Sequence, residues 1–341
     1  MAANFSIPRD LMIGELHREF YLAEDGLQQG DVPGGNALYA AVGYMLWEDG
    51  YQPGLLTRVG KNYPTSWMED LQARGIHTAG VHYLEQDLEQ RICFGYKTDR
   101  YLPLSNLPVY CGKNGFPIPS ELLDFRPEEI WISNRRQRKP TSIREEDIPP
   151  DYIGATGAHI CPGDYLSHNL IPAILRSEGF TTITLDPGPE YMDPEFLGDI
   201  PALITGLSAF LPSEDEVLNL YKGQIANLME IAEELSRHGC PLIVIKRGEN
   251  GQLLYDANRE QGWEIPAYPS RVANRAGAGD AFCGGFLAGL RDSYDPLEAA
   301  VCGSAAASLV VEGCGPFFAL DAVPGLLKAR QHVIREQTRL I

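Results

Sequence analysis

Apolar residues along this chain change their period several times, and the changes divide it into strand-like and helix-like stretches. From residue 157 onward the order is AHIC, NLIPAILRSEG, TTITLD and ALITG. Short apolar runs between turns read as buried strands, and apolar residues three and four apart read as helices. AHIC, TTITLD and ALITG are therefore predicted strands, NLIPAILRSEG a helix, and TTITLD stops at Asp186, Pro187 and Gly188. VLNLYKGQIANLMEIAEELSRHG predicts one long helix, and LIVIKRGENGQLLYD a buried strand, a Gly-x-x-Gly turn and a second strand. Nearer the N-terminus, LMIGE reads as a first strand that HREFYL could extend. ALYAAVGYMLW reads as a helix with Leu38, Ala41, Val42, Met45 and Leu46 inward. LLTRVGKN predicts a strand and turn, TSWMEDLQARG a helix, and VHYLE and RICFGYKT alternate like strands. Residues 99–150 are rich in proline and loops. Repeated strand–helix–strand units build a parallel sheet covered by helices, whose ligands gather at the carboxyl ends of its strands.

The stretch at 274–290, NRAGAGDAFCGGFLAGL, organises the rest. Gly277, Ala278 and Gly279 lead into Asp280, and Phe282, Phe286 and Leu290 then repeat at helical spacing. A Gly-Ala-Gly turn at a helix start leaves several backbone N–H groups without intrahelical partners at the positive end of the dipole. Phosphate is the commonest occupant of such a site. A carboxylate at its mouth repels an anion unless it has work to do, such as taking a proton from a hydroxyl that attacks phosphorus. Asp280 can also be read as a first-turn acid on the dipole. Gly284, Gly285 and Gly289 each cost helix stability, which is tolerated where something approaches the backbone closely. The next helix opens with Asp295 as cap and Pro296 at its first position and carries tiny residues from Gly303 to Ser308.

Composition narrows the partners. The net charge of −18 argues against nucleic acid or an anionic membrane, while a polyphosphate substrate would need local cations or magnesium. Arg135, Arg136, Arg138 and Lys139 form the one basic run, read as a solvated surface. Seven scattered cysteines without a CxxC pair fit a reducing cytoplasm better than disulfides or zinc. No stretch is long enough to span a membrane.

GAGDAFCGGFLAGL resembles the second signature of the ribokinase (PfkB-type carbohydrate kinase) family, usually D-T-x-G-A-G-D-x-F, with Asn274 and Arg275 in place of its Asp and Thr. The resemblance implies that Asp280 is the general base and that the N–H groups of Gly277, Ala278 and Gly279 form the anion hole. Gly34, Gly35 and Asn36 resemble the first signature, whose paired glycines let backbone touch a sugar. Tyr39 stands where many members have a substrate-binding Asn, and it could stack on a ring. The family's Gly-x-x-x-x-Asp becomes Gly14 with Glu19, which implies an acid for substrate hydroxyls, and Asn62 replaces the acid of its Gly-x-Asp turn. Its Asn-x-x-Glu becomes Ser213 and Glu216, implying a magnesium organiser, though Ser-x-x-Glu is equally a capping box. Its Thr-x-Gly-x-x-Gly phosphate turn becomes Lys246, Gly248 and Gly251, and Ser304 takes the Asn position of the adenine helix.

The expected fold is α/β: a three-layer α/β/α sandwich with a mostly parallel sheet and a small β-sheet lid. It forms one domain over 1–341, with lid segments near 15–33 and 81–112. The expected activity is a cytoplasmic small-molecule kinase that uses ATP and Mg2+ on a hydroxyl of a sugar, and that pairs through its lid into a homodimer. A nucleoside kinase of the same fold, or a quiet ribokinase-like binding or regulatory protein, is the alternative. A nicotinamide dehydrogenase lacks its G-x-G-x-x-G after the first strand. In the family the residues at 274 and 275 help bind a monovalent cation, and the Arg275 guanidinium is expected to replace it by bonding carbonyls of the anion-hole loop.

Overall fold

The computed structural model describes residues 7–47, 50–97, 100–127 and 135–341. Fourteen strands lie among them: β1 Asp10–Ile13, β2 His17–Ala23, β3 Gly26–Gly34, β4 Gly54–Val59, β5 His77–Tyr83, β6 Arg91–Lys97 and β7 Arg100–Pro103, then β8 Gly157–Ile160, β9 Thr182–Leu185, β10 Ala209–Phe210, β11 Leu242–Lys246, β12 Gln252–Asp256, β13 Gln261–Ile265 and β14 Arg339–Leu340. The helices are α1 Asn36–Met45, α2 Ser66–Ala73, α3 Leu107–Asn114, α4 Tyr165–Ser177, α5 Ile200–Ile204, α6 Glu214–Leu220, α7 Leu228–Ser236, α8 Ala278–Ser293, α9 Pro296–Val310 and α10 Leu326–Gln337.

Ten strands form one sheet in the order β14-β13-β12-β11-β10-β9-β8-β1-β4-β5, parallel from β11 to β5 and antiparallel beyond β11. Side chains alternate across it. Leu11, Ile13, Ile243 and Ile245 pack toward α4–α7, and Met12, Leu242 and Val244 toward α1, α8 and α9. That alternation makes the three expected layers. The strand order reverses at β1, so the carboxyl ends of β1 and β8 flank a topological switch point where α/β sheets bind ligands.

The second sheet is β3-β2-β6-β7. HREFYL does not extend β1; the chain breaks after Ile13 and re-enters this sheet as β2. The strand at VHYLE belongs to the main sheet, as edge strand β5 beside β4, so the second sheet is narrower than the expected lid segments. Residues 98 and 99 of those segments lie outside the described residues. Two further expectations change. ALITG is the end of helix α5, because Pro201 lies in its first turn where proline is pre-shaped for helix, and the strand comes later as β10. The long helix splits into α6 and α7, with Gly223 at φ +78° between them and Asn227 capping the second part.

The glycine-rich helix finds its reason in α1. A Cβ on Gly284 would meet the Ala40 carbonyl oxygen at 1.8 Å, and one on Gly43 the Ala281 carbonyl at 2.1 Å. The helices of the two signatures therefore touch backbone to backbone. This contact sets the start of α8 beside the start of α1.

Candidate active site

Asp280 lies in the first turn of α8, and Gly277 before it adopts φ +73°. A methyl on Gly277 would lie 2.1 Å from the Tyr39 ring, so only glycine fits there. The Ala278 N–H donates to the Arg275 carbonyl at 3.3 Å. Among the described residues the Gly277 and Gly279 N–H groups have no partner, so two of the three expected amides are open to an anion. The Asn274 side chain accepts from the Ala276 N–H at 2.9 Å, closing the loop as an Asx turn.

Lys246, at the end of β11, reaches this loop: a methyl on Gly279 would come within 3.7 Å of its Nζ. The ammonium is in hydrogen-bond contact with Asp186, at the end of β9, and lies 3.8 Å from Cys283 Sγ. Burial raises the Asp186 carboxyl to about 6 while Lys246 pulls it down. Burial opposes the Lys246 charge but Asp186 more than offsets it, holding the ammonium well above the usual lysine range. Both groups are thus ionised at neutral pH. The half-buried Asp280 shows the same balance: desolvation raises its carboxyl to about 6, against the pull of Lys246 and His17. Asp186 was legible only as the last residue of a strand, and Cys283 only as an apolar helix position.

Ser213 and Glu216 form the capping box: Glu216 N–H donates to Ser213 Oγ at 3.3 Å, and Ser213 N–H to Glu216 Oε2 at 2.6 Å. Burial raises its carboxyl, and the charge of Asp186 raises it further. Among the described residues no set of three or more His, Cys, Asp or Glu side chains forms a metal cage. Two neighbouring carboxylates, one with an oxygen outside the capping box, fit a hydrated Mg2+ that takes its remaining ligands from phosphates.

A cavity of about 510 Å³ opens beside the loop, lined by Lys246, Gly248, Tyr268, Arg275, Gly279 and Ser304 among others. Gly251 does not line it. Its φ of +80° and a backbone neighbour at 2.0 Å from a built Cβ shape the turn instead. Ser304 is buried, its Oγ 2.6 Å from Gln252 Oε1, so it braces the wall rather than projecting from it.

On the other side stand the first-signature residues. Glu19 is buried in β2 and accepts from Tyr21 Oη at 2.5 Å, Tyr39 Oη at 3.0 Å and Gly35 N–H at 3.3 Å. Burial raises its carboxyl, against those hydroxyl bonds. The structure therefore places Glu19 and Tyr39 under the site, bonded to each other, rather than projecting into it. A Cβ on Gly34 would overlap the Glu19 carboxyl. Tyr21 Oη also accepts from Asn274 Nδ2 at 3.4 Å and Gly315 N–H at 3.0 Å, seating the second sheet on the anion loop. Asn36 Oδ1 accepts from the Glu15 N–H at 2.7 Å and its Nδ2 donates to the Pro162 carbonyl at 3.0 Å, lacing the switch point together. Asn62 bonds both backbone groups of Leu88.

Three residues that the motifs did not single out for the site sit at the same strand ends. Glu15 lies 3.2 Å from His17 Nε2 and 3.7 Å from Lys139 Nζ, and accepts from Thr141 Oγ1 at 2.9 Å. Burial disfavours its charge, but His17 and Lys139 outweigh that and hold its carboxyl at about 2. Lys139 also reaches Glu190 at 3.6 Å, so the last residue of the basic run turns inward instead of lying solvated. Arg135 does face outward, against Asp199. The expectation for Arg275 also changes: its guanidinium reaches Glu249 Oε2 at 3.2 Å rather than the loop carbonyls, because the side chain points across the cavity mouth.

Residues 166–321 match the model of the pfkB family carbohydrate kinases. The cytidine kinase of Thermococcus kodakarensis is 25% identical over 300 residues, covering 85% of this chain and 91% of that protein. A fructokinase from Vibrio cholerae, solved with fructose, ADP and calcium, superposes with a TM-score of 0.66 at 18% identity, over 96% of this chain and all of the other. The nucleoside kinase of Methanocaldococcus jannaschii gives 0.62 at 17%, over 96% and all of each. No helix among the described residues is long and apolar enough to cross a membrane.

Proposed function

Since the chain belongs to the ribokinase/PfkB-type kinases, a group of small-molecule kinases, we propose that it transfers the γ-phosphoryl group of ATP to a hydroxyl of a sugar or nucleoside, with Asp280 as general base. The observation that carries this reading is the placement of Asp280 at the mouth of an open anion loop, between the nucleotide-sized cavity and the switch-point residues. The acceptor oxygen bonds to the γ-phosphorus as the bridging P–O bond breaks. Its proton passes to the Asp280 carboxylate, and the bridging oxygen's electron pair leaves with ADP. The Gly277 and Gly279 N–H groups and the Lys246 ammonium face the charge on the transferring group. Bound Mg2+ would neutralise phosphate charge, with Glu216 and Asp186 holding its water shell. Gly34, Gly35 and Asn36 form the backbone wall of the acceptor side. Glu19 and Tyr39 position that wall from beneath. The match to a cytidine kinase over most of both chains supports a nucleoside acceptor alongside the sugars. A dimer through the second sheet would cover its edge strands β3 and β7.

The test is ADP release with Mg-ATP across sugars, sugar acids, polyols and nucleosides, followed by Asp280→Asn. With the best acceptor, Asp280→Asn should lose kcat by about 10²–10⁴ while keeping nucleotide binding. Asp280 accepts a proton only when ionised, so kcat/KM should fall about tenfold per pH unit below about 6 and level off above it. A variant keeping more than about a third of kcat would remove Asp280 from the base role. Stabilisation by an alcohol with no ADP formed would instead support the binding-protein reading.

A further inference from the structure

We propose that Arg275 and Glu249 form a latch across the mouth of the nucleotide cavity, and that Arg275 exchanges Glu249 for the terminal phosphates of a bound nucleoside triphosphate, positioning them for transfer. The inference rests on the kinase reading of the same site.

The two residues come from separate turns that both line one cavity. Glu249 lies in the turn that follows β11, and Arg275 in the loop that precedes α8. Their contact at 3.2 Å joins the two turns at the solvent-exposed part of the lining. The side chains are 53% and 81% exposed, so water screens the pair and little is lost when it breaks. The cavity's other cation, Lys246, is already committed to Asp186. Lys246 is held in place by its buried partner, whereas Arg275 has an exposed partner that an arriving polyphosphate can replace, in a chain of net charge −18. A guanidinium grips two phosphate oxygens at once, which a point charge cannot do. The same phosphate repels Glu249, pushing the exposed carboxylate outward into solvent. The Ala278 N–H bonded to the Arg275 carbonyl ties the moving residue to the anion loop, so gripping the phosphate also holds the loop that meets it.

Calorimetric binding of AMP and of a non-hydrolysable ATP analogue, both with Mg2+, tests the latch without needing the acceptor. Arg275→Gln should weaken the analogue by about tenfold or more while changing AMP little, and Arg275→Lys should fall between. Glu249→Gln should tighten the analogue by freeing Arg275, and should do nothing in an Arg275→Gln background. Both residues are exposed, so unchanged melting temperatures check that folding is intact. Analogue binding within twofold of wild type in Arg275→Gln, or weakened binding in Glu249→Gln, overturns the latch alone. Absence of nucleotide binding by the wild-type chain overturns the kinase reading and the latch with it.

Discussion

Replacing Lys246 with Met keeps most of the unbranched stem and removes the cation paired with a buried carboxylate. Asp186 is 3% exposed, and without Lys246 its nearest remaining partner is the Cys283 thiol, 3.5 Å away. Removing one member of a buried ion pair costs about 3–5 kcal/mol. At about 2.1 cal/mol/K per residue, the 341-residue chain unfolds with an entropy near 0.7 kcal/mol/K. The melting temperature should then drop by about 4–7 °C, with unfolding treated as two-state. The sign with pH follows from Asp186. Its native pKa is already raised to about 6 with Lys246 present, and rises further without it. A carboxyl with a raised native pKa loses stability as pH climbs from its unfolded value through its native one. The deficit should therefore be larger at pH 8 than at pH 5.5, where the carboxyl is largely protonated. Lys246 is also the strongest pull keeping the Asp280 carboxyl down. In Lys246→Met the acid limb of kcat/KM should move above about 6, with a lower plateau because the phosphates lose a cation. The double variant Lys246→Met/Asp186→Asn removes both charges of this pair and should recover most of the lost stability but not the activity. Thermal scans at the two pH values and a pH–rate profile measure all of this. A melting temperature within about 1 °C of wild type at pH 8, or an unmoved acid limb, would refute the reasoning.

Two contrasts extend the test. Gly277→Ala forces a left-handed φ on alanine and drives a methyl into the Tyr39 ring, so it should lose about 2–3 kcal/mol or more. Gly279→Ala meets only the Lys246 ammonium and should fold normally while raising the KM for ATP; a lower melting temperature for Gly279→Ala than for Gly277→Ala would contradict the geometry. Ser213→Ala should cost about 1 kcal/mol, the worth of a cap, with magnesium dependence unchanged. Glu216→Gln should raise the magnesium requirement, and equal magnesium titrations for the two variants would show that Glu216 acts only as a cap.

What the sequence determined alone was local. Strands β8, β9, β11 and β12, helices α1, α4, α8 and α9, the Gly277–Asp280 turn and the Ser213–Glu216 box were all legible. Each is specified within a few residues by backbone sterics, side-chain period and capping. Short-range signals failed where context outweighed them: ALITG became helix behind Pro201, and HREFYL joined a different sheet from its neighbour β1. The company each site residue keeps was decided only by the tertiary structure. Asp186, Lys246 and Cys283 meet because parallel strands β9 to β11 end on the edge where α8 begins. Glu15, His17 and Lys139 meet because β1 lies at the reversal of strand order. Glu19 was legible as an acid near the substrate, yet two tyrosines from β2 and α1 cover it. The glycines of α8 were legible as a cost, and their reason is the α1 backbone, far away in sequence. Arg275 was legible as a cation beside the anion loop, but its direction depended on Glu249 across the cavity. A side chain's direction is set by what packs against it, and at this site those neighbours arrive from strands and helices far apart in the chain.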